Sequence, residues 1–288
     1  MLQVARLAPK LLGDASDLCT QFIQRHQHPE GGFLDRAGDR DLYYTVFGTE
    51  ALIALRADVP SGALAAYLSS FGDGEGLDFV HLTCLARCWA ALPAPYRSQT
   101  PRDALLARLA PFRTADGGYD AAPDAERGTI YGCFLALGAY QDLGGELPEL
   151  ERVLACVRSL EADDGGFANQ ADMPLGLTPP TAAAVTLLRH LGSPAAPRTA
   201  EWLLSRCHPE GGFYATPLAP MPDLLSTATA LHALAGMQVP LDTIKEPCLD
   251  FLDTLWSSQG AFYGTWADDE LDCEYTYYAL LSLGHLSL

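Results

Sequence analysis

One short motif recurs along this chain at nearly regular intervals. It is a pair of glycines (Gly-Ala in the last copy) followed by an aromatic residue, a polar loop and an apolar stretch. Read backwards, the aromatic positions are 49, 46, 48 and 86 residues apart, and the last interval is twice 43. The aromatic residues are Phe262, Phe213, Phe167, Tyr119 and Phe33, and a copy without its aromatic lies at 71–92. A period of this length indicates a repeat protein, here with six units.

Each unit contains two helical patterns. The first is amphipathic, as in residues 10–24, and the second is apolar nearly all round, as in 42–55. An amphipathic helix faces water on one side, whereas an apolar one is buried on most sides. We therefore expect an outer and an inner helix in every unit, with neighbouring units burying each other's faces. The six units span roughly 9–56, 61–92, 99–143, 147–192, 196–236 and 241–286.

The two ends of the sequence favour a closed ring over an open array. Open repeat arrays need polar capping units at both ends. Here the pattern begins with an outer helix and ends on an apolar inner one, LSLGHLSL. The predicted fold is all-α, a single (α/α)6 toroid over residues 1–288, in which the sixth unit packs against the first. Strand signals are weak throughout.

Composition excludes several classes of function. The net charge is −18, which disfavours nucleic acid, because such binding depends on Lys and Arg neutralising phosphates. No apolar run is long enough to span a membrane, and no signal peptide is recognisable. We expect a cytoplasmic protein. The eight cysteines include no CxxC pair and fall mostly in apolar helical segments, so we expect buried free thiols.

The first and last units resemble a known family. The segments GGFLDRAGDRDLYYTVFGTEALIAL (31–55) and GAFYGTWADDELDCEYTYYALLSLG (260–284) are similar to the repeats of protein prenyltransferase β subunits and of squalene and terpenoid cyclases. The resemblance extends over essentially the whole chain at the level of repeats. It implies an α/α toroid that holds an isoprenoid in its central cavity.

The prenyltransferase side of the resemblance implies zinc, held by an Asp-x-Cys in one unit and a His in the next. Asp272 matches the Asp, but Glu274 stands at the Cys position and Tyr44 at the His position. Cys273 lies one residue early, a turn of about 100° on a helix. His81 could supply the imidazole, which gives Asp272, Cys273 and His81 as the alternative zinc ligands. The preceding loop, ADDELD, would repel a diphosphate, so no metal or other cofactor is favoured.

The cyclase side implies one carboxylic acid kept protonated in an apolar cavity. The family's Asp-x-Asp-Asp motif is absent, and its nearest substitutes are Asp39-Arg40-Asp41, Asp268-Asp269-Glu270 and Asp272-Cys273-Glu274. Of these we favour Asp272 with Glu274. Burial or a like-charged neighbour would raise the pKa of such an acid. We expect Asp272 and Glu274 to face Asp41 and Tyr44 and to start a cyclisation or isomerisation by protonation. Aromatic rings would stabilise the cation. The cavity residues expected are Tyr43, Phe47, His81, Tyr131, Tyr275 and Tyr278.

Other interpretations remain open at this stage. Asp41, Asp78, Asp223 and Asp272 all stand at the start of an inner helix, where Asp commonly caps the free N–H groups. The ring could also be a non-catalytic carrier of a lipid or a partner protein. The protein could also form a homo-oligomer. A glycoside-processing enzyme of this fold would need two facing carboxylates about 5–10 Å apart and exposed tryptophans. The preferred partner is a hydrophobic isoprenoid-like small molecule.

Overall fold

The computed structural model describes residues 1–288. The inner layer consists of six helices: α4 (Leu42–Ala54), α6 (Phe79–Ala91), α9 (Ile130–Asp142), α11 (Thr178–His190), α13 (Leu224–Gly236) and α15 (Cys273–Leu286). The outer layer consists of α3 (Ala15–Arg25), α5 (Ser61–Ser69), α8 (Arg102–Leu109), α10 (Leu150–Ser159), α12 (Pro197–Leu204) and α14 (Asp242–Leu255). The remaining elements are α1 (Leu2–Ala5), α2 (Pro9–Leu12), α7 (Ala94–Arg97), a 3-10 turn (Ala110–Phe112), and two antiparallel pairs, β1 (Phe33–Leu34) with β2 (Arg40–Asp41) and β3 (Trp256–Ser257) with β4 (Ala261–Phe262).

The inner helices form a closed ring. Each one packs against the next in chain order, and α15 packs against α4 to complete the circle. The outer layer is joined at the same place. Gly260 of the last unit has a φ of 90°, and a Cβ there would lie 2.2 Å from the Leu18 carbonyl oxygen of α3. Only glycine permits both that φ and that approach. The predicted all-α toroid is confirmed.

The inner helices run parallel, because each follows its outer helix through one reversing turn. Their first turns therefore share one end of the ring, which we call the mouth. Asp41, Asp78, Asp223 and Asp272 each accept a hydrogen bond from the backbone N–H three residues on, and Thr129 does the same in the third unit. The capping interpretation of the four aspartates is thereby confirmed. Capping also places their carboxylates around the mouth.

The recurring turn aromatic is a packing residue. Phe33, Phe167 and Phe213 are fully buried, and each backbone N–H donates to an inner-helix threonine hydroxyl, Thr45 in the first case at 2.9 Å. In the first unit the ring of Phe33 also occupies the space that a side chain at residue 48 would need. The turn aromatic thus fixes the start of the inner helix against its own unit, which sets the level of the mouth residues.

The structure differs from the sequence prediction in the first unit. The single outer helix expected over 10–24 is two helices, because Gly13 between them has φ 54° and ψ −128°, which no helix accommodates. The unpredicted α1 packs on α4 and α15 at the end opposite the mouth, with the Val4 carbonyl oxygen against Gly284. All eight cysteines are free, and seven are buried, as expected. None of the helices has the length and apolar character that crossing a membrane requires.

Candidate active site

The axis of the ring is bordered by the face of each inner helix that no other element covers. In α9 the residues that are not buried are Tyr131, Phe134, Leu135, Gly138, Gln141 and Asp142, which share one face at helical spacing. A side chain at Gly138 would meet no atom within 4 Å, so open space lies beside this face. We call this space the lumen.

The repeats place equivalent residues at equivalent depth along the inner helices. The second residue of each inner helix forms a first layer, which comprises Tyr43, Val80, Tyr131, Pro179, Leu225 and Glu274. The sixth residue forms a second layer, which comprises Phe47, Cys84, Leu135, Ala183, Thr229 and Tyr278. Glu274 is the only carboxylate in these two layers, and all the other members except Thr229 are apolar or aromatic.

Glu274 is held by the first inner helix across the junction of the ring. The hydroxyl of Tyr43 donates to Oε1 of Glu274 at 2.6 Å. Burial raises the pKa of Glu274 to about 7, although the Tyr43 hydrogen bond acts in the opposite direction. Burial also raises the pKa of Tyr43, so its phenol stays protonated as a donor. The Glu274 carboxyl group therefore keeps its proton to a higher pH than an exposed glutamate does.

Aromatic rings surround this acid. The ring of Phe47 lies 4.9 Å from that of Tyr43 and 5.4 Å from that of Tyr278. Across the lumen, Tyr131 is 43% exposed, yet burial raises its pKa to about 12, with a further contribution from Glu274. A side chain can be both accessible and poorly solvated when it lies in a concave surface, so Tyr131 borders a depression rather than an outer surface.

Asp272 has a different environment from Glu274. Its Oδ1 caps α15 through the N–H of Tyr275 at 2.8 Å, and its Oδ2 accepts from Nε of Arg36 at 2.7 Å. Arg36 comes from the β1–β2 turn, also meets Asp268 and Glu270, and lies 5.5 Å from the centre of the Tyr275 ring. This arginine joins the first unit to the last at the mouth. Both Asp272 oxygens thus have structural partners.

No hydrogen bond joins Asp41 or Tyr44 to Glu274. Tyr44 nevertheless lies near the two predicted acids, since burial and then Asp272 and Glu274 raise the pKa of its phenol. Asp41 accepts from the Tyr44 N–H with one oxygen and meets Nε2 of His81 at 3.0 Å with the other. The second ring nitrogen of His81 lies 2.9 Å from Asp78. Because a neutral imidazole has only one N–H, the cation alone can donate to both carboxylates. His81 therefore bridges the first two units at the mouth.

The alternative zinc ligands do not converge. His81 has both nitrogens on aspartates, and Asp272 is paired with Arg36. Cys273 is completely buried, and burial raises the pKa of its thiol, which opposes the thiolate that zinc needs. The one-residue offset on α15 turns Cys273 away from the lumen. Asp272, Cys273 and His81 therefore do not fit a zinc ion, and no group of three His, Cys, Asp or Glu residues has the arrangement of a metal site.

Two lumen residues that the sequence reasoning missed lie one layer deeper. Glu50 and Arg87 are the ninth residues of α4 and α6, and Nε of Arg87 donates to Oε1 of Glu50 at 2.6 Å. Glu50 is the only charged residue of α4, and Arg87 is the only Lys or Arg of α6. Aligning the repeats would have revealed this pair, because both charged residues fall at the ninth position of the inner helix.

Comparisons with known proteins agree on the fold. The chain is similar to the type II terpene cyclase MstE from Scytonema in complex with its product merosterolic acid A, with 15% identity, 97% of each chain covered and a TM-score of 0.62. It is also similar to Candida albicans protein geranylgeranyltransferase-I complexed with GGPP, with 16% identity, 98% of this chain and 81% of that chain covered, and a TM-score of 0.56. A polysaccharide lyase has a TM-score of 0.59 at 13% identity, with 97% of each chain covered.

These three enzymes act on different substrates, so the shared fold does not fix the reaction. No curated protein matches the sequence. The family model described as the prenyltransferase alpha-alpha toroid domain matches residues 7–83 and 181–287, which together are well over half of the chain. The chain belongs to the prenyltransferase alpha-alpha toroid domain family.

Proposed function

We propose that this protein is an isoprenoid-processing enzyme that starts a cyclisation or isomerisation by protonating a carbon–carbon double bond. The observation that carries the proposal is the Tyr43–Glu274 pair. Glu274 is the single carboxyl group among the apolar and aromatic residues of the two upper lumen layers, and burial raises its pKa to about 7. A general acid needs a pKa near the working pH, so that it is protonated and can still release its proton.

The reaction balances without a cofactor. The proton of the Glu274 carboxyl group moves to one carbon of the double bond, whose π electrons form the new C–H bond. The other carbon becomes a cation, and a second double bond of the substrate attacks it to form a C–C bond. A proton then leaves a neighbouring carbon, either to the Glu274 carboxylate or to water, and the product is an isomer of the substrate. Without the attack, the same two proton transfers move the double bond.

The aromatic residues support the cationic stage. A ring face attracts a cation by roughly 0.5–2 kcal/mol, more where water is excluded. Phe47, Tyr131 and Tyr278 lie in the same two layers as the acid, so a cation formed beside Glu274 would have ring faces nearby. The hydroxyl of Tyr43 stabilises the carboxylate that remains after proton transfer, because a hydrogen bond to the charged form favours that form.

Two solved structures of the same fold support an isoprenoid as the substrate class. MstE is described in complex with geranylgeranyl dihydroxybenzoate as substrate, and the Candida albicans enzyme in complex with GGPP. The terpene cyclase is the better guide for this chain, because Tyr44 stands at the His position of the prenyltransferases and the alternative ligands Asp272, Cys273 and His81 do not converge.

The test is turnover in heavy water. The purified protein is incubated in D2O with unsaturated isoprenoids that differ in chain length and head group, and products are analysed by mass spectrometry. We expect an isomer that contains one deuterium. Glu274→Gln should lower turnover by roughly 10²–10⁴-fold. Glu270→Gln, an exposed acid of the preceding loop, is the matched control and should keep turnover.

Product that forms equally fast with Glu274→Gln would overturn the proposal, as would product free of deuterium. Tight binding of isoprenoids without any product would instead identify a carrier.

A further inference from the structure

The floor of the lumen is polar, unlike the two layers above it. The ninth residues of the inner helices form a third layer, which comprises Glu50, Arg87, Gly138, Thr186, His232 and Leu281. Glu50 and His232 are largely buried. A substrate that reaches this depth therefore leaves an apolar environment and meets charged and hydrogen-bonding groups.

Arg87 has N–H groups in this layer that donate to no acceptor. Its Nε donates to Glu50, but its terminal nitrogen Nη1 is 3.9 Å from Oδ2 of Asp142, beyond hydrogen-bonding distance. No other acceptor contacts the guanidinium group. The Arg87 side chain is nevertheless 37% exposed, although it belongs to an inner helix, and the space beside Gly138 at the same depth is open. The free N–H groups of Arg87 thus have access to the lumen.

The charges already present at the floor decide which kind of substrate group can accept a hydrogen bond from Arg87. Glu50 already offsets Arg87, and the two nearby histidines add no positive charge. Burial lowers the pKa of His232 to about 2 and that of His285 to about 4. The Met1 ammonium and Arg189 also lie near these histidines, and burial lowers the pKa of that ammonium. A diphosphate would have to pass a mouth bordered by aspartates and would meet Glu50 and Asp142 beside Arg87. A neutral oxygen atom could accept from Arg87 without that cost.

The positions of Glu274 and Arg87 along their helices set the axial distance between the acid and an oxygen atom that accepts from Arg87. Glu274 is the second residue of its helix and Arg87 the ninth, and all inner helices begin at the mouth. Seven residues at 1.5 Å each give an axial separation of about 10 Å. A substrate that reaches both groups would need its reacting double bond and its oxygen atom to be separated by about 10 Å along the axis.

We propose that the substrate is an isoprenoid with a neutral oxygen group, a hydroxyl or a carbonyl, which accepts a hydrogen bond from Arg87 about 10 Å below the double bond that Glu274 protonates. The assignment rests on the proposed function, since it takes Glu274 as the acid. It distinguishes this chain from an enzyme that recognises a prenyl diphosphate.

Binding to an inactive variant separates recognition from turnover. Glu274→Gln protein is titrated by calorimetry with farnesol, with the hydrocarbon of the same skeleton, and with farnesyl diphosphate. We expect farnesol to bind about tenfold or more tightly than the hydrocarbon, because a hydrogen bond to a charged donor is gained. Farnesyl diphosphate should bind most weakly.

The preference for the alcohol should disappear when Arg87 is neutralised. Arg87→Met is combined with Glu50→Gln, so that no buried charge is left alone. The matched control removes an ion pair of the same length from the outer layer, with Arg198→Met and Glu161→Gln, and should keep the preference. If the lumen double variant does not fold, Arg87→Lys retains the charge beside Glu50 but loses the planar donors, and the preference should fall several-fold.

Equal binding of alcohol and hydrocarbon, tightest binding of the diphosphate, no binding by any of the three, or a preference that survives without Arg87 would overturn the inference. None of these results alters the heavy-water test, in which turnover depends on Glu274. Conversely, unchanged turnover by Glu274→Gln would exclude the proposed reaction. The measured binding preference for the alcohol would still be valid.

Discussion

Tyr43 and Glu274 occupy the same position of the first and the last inner helix, and the Tyr43 hydroxyl donates to Glu274 at 2.6 Å across the junction of the ring. The contact therefore exists only because the toroid closes. It couples the fold to the chemistry, since any change that opens the junction would also release the acid from its hydrogen-bond donor.

Tyr43→Phe should shift the pH dependence of activity towards higher pH. Activity needs the protonated Glu274 carboxyl group, so it should fall as pH rises through about 7. Removing the donor that lowers the Glu274 pKa raises that pKa further. A pH–rate profile, or an NMR titration of labelled glutamate, would measure the shift. Tyr44→Phe is the control, because Tyr44 makes no hydrogen bond to Glu274, and an equal shift in both variants would contradict the assignment.

The repeats predicted the helix layers and the capping aspartates, and the helix types of the first and last units predicted the ring, because each of these follows from the local sequence. It also pointed to Glu274, a carboxylate inside an apolar helix. The motif position points to Tyr44 as the residue facing the acid, whereas the hydrogen bond comes from Tyr43, which shares its position within the repeat with Glu274. Arg36 could not be found in this way, since it meets Asp272 across 236 residues of sequence.

The Asp41–His81–Asp78 bridge predicts a pH-dependent contribution to stability. Burial lowers the pKa of His81, but hydrogen bonds to Asp78 and Asp41 outweigh it, so the pKa is raised above 6.5 in the folded state. The stabilisation is therefore complete below pH 6.5 and is lost as pH rises through the folded-state pKa.

Thermal unfolding of His81→Gln across this range provides the measurement. The difference in Tm from the unmodified protein should be largest at low pH and should shrink as pH rises. Asp78→Asn keeps a capping oxygen but removes one carboxylate, so it should reduce the effect. Asp223→Asn, at a cap without a histidine, should leave the effect in place, and a difference that grows with pH would contradict the bridge.

Arg36→Gln should loosen the junction of the first and last units. Asp272 is only 3% exposed and would lose its cationic partner, so we expect a loss of roughly 1–3 kcal/mol in the free energy of unfolding. Arg40→Gln, from the same turn, removes a 3.7 Å contact with the exposed Glu30 and should cost less than about 1 kcal/mol. Denaturant unfolding compares the two, and equal losses would mean that Arg36 does not join the ring.

Gly138 allows the lumen to be tested without touching the acid. A methyl group at this position meets open space, so Gly138→Ala should stabilise α9 by roughly 0.5–1 kcal/mol through reduced backbone freedom in the unfolded chain. Gly138→Leu should extend into the lumen beside Arg87 and abolish isoprenoid binding while Tm is maintained. Gly48→Ala is the contrasting control, because its Cβ would lie 2.2 Å from the Phe33 ring and should destabilise the protein. If Gly138→Leu lowered Tm as Gly48→Ala does, the ring would be filled at this depth and could hold no substrate there.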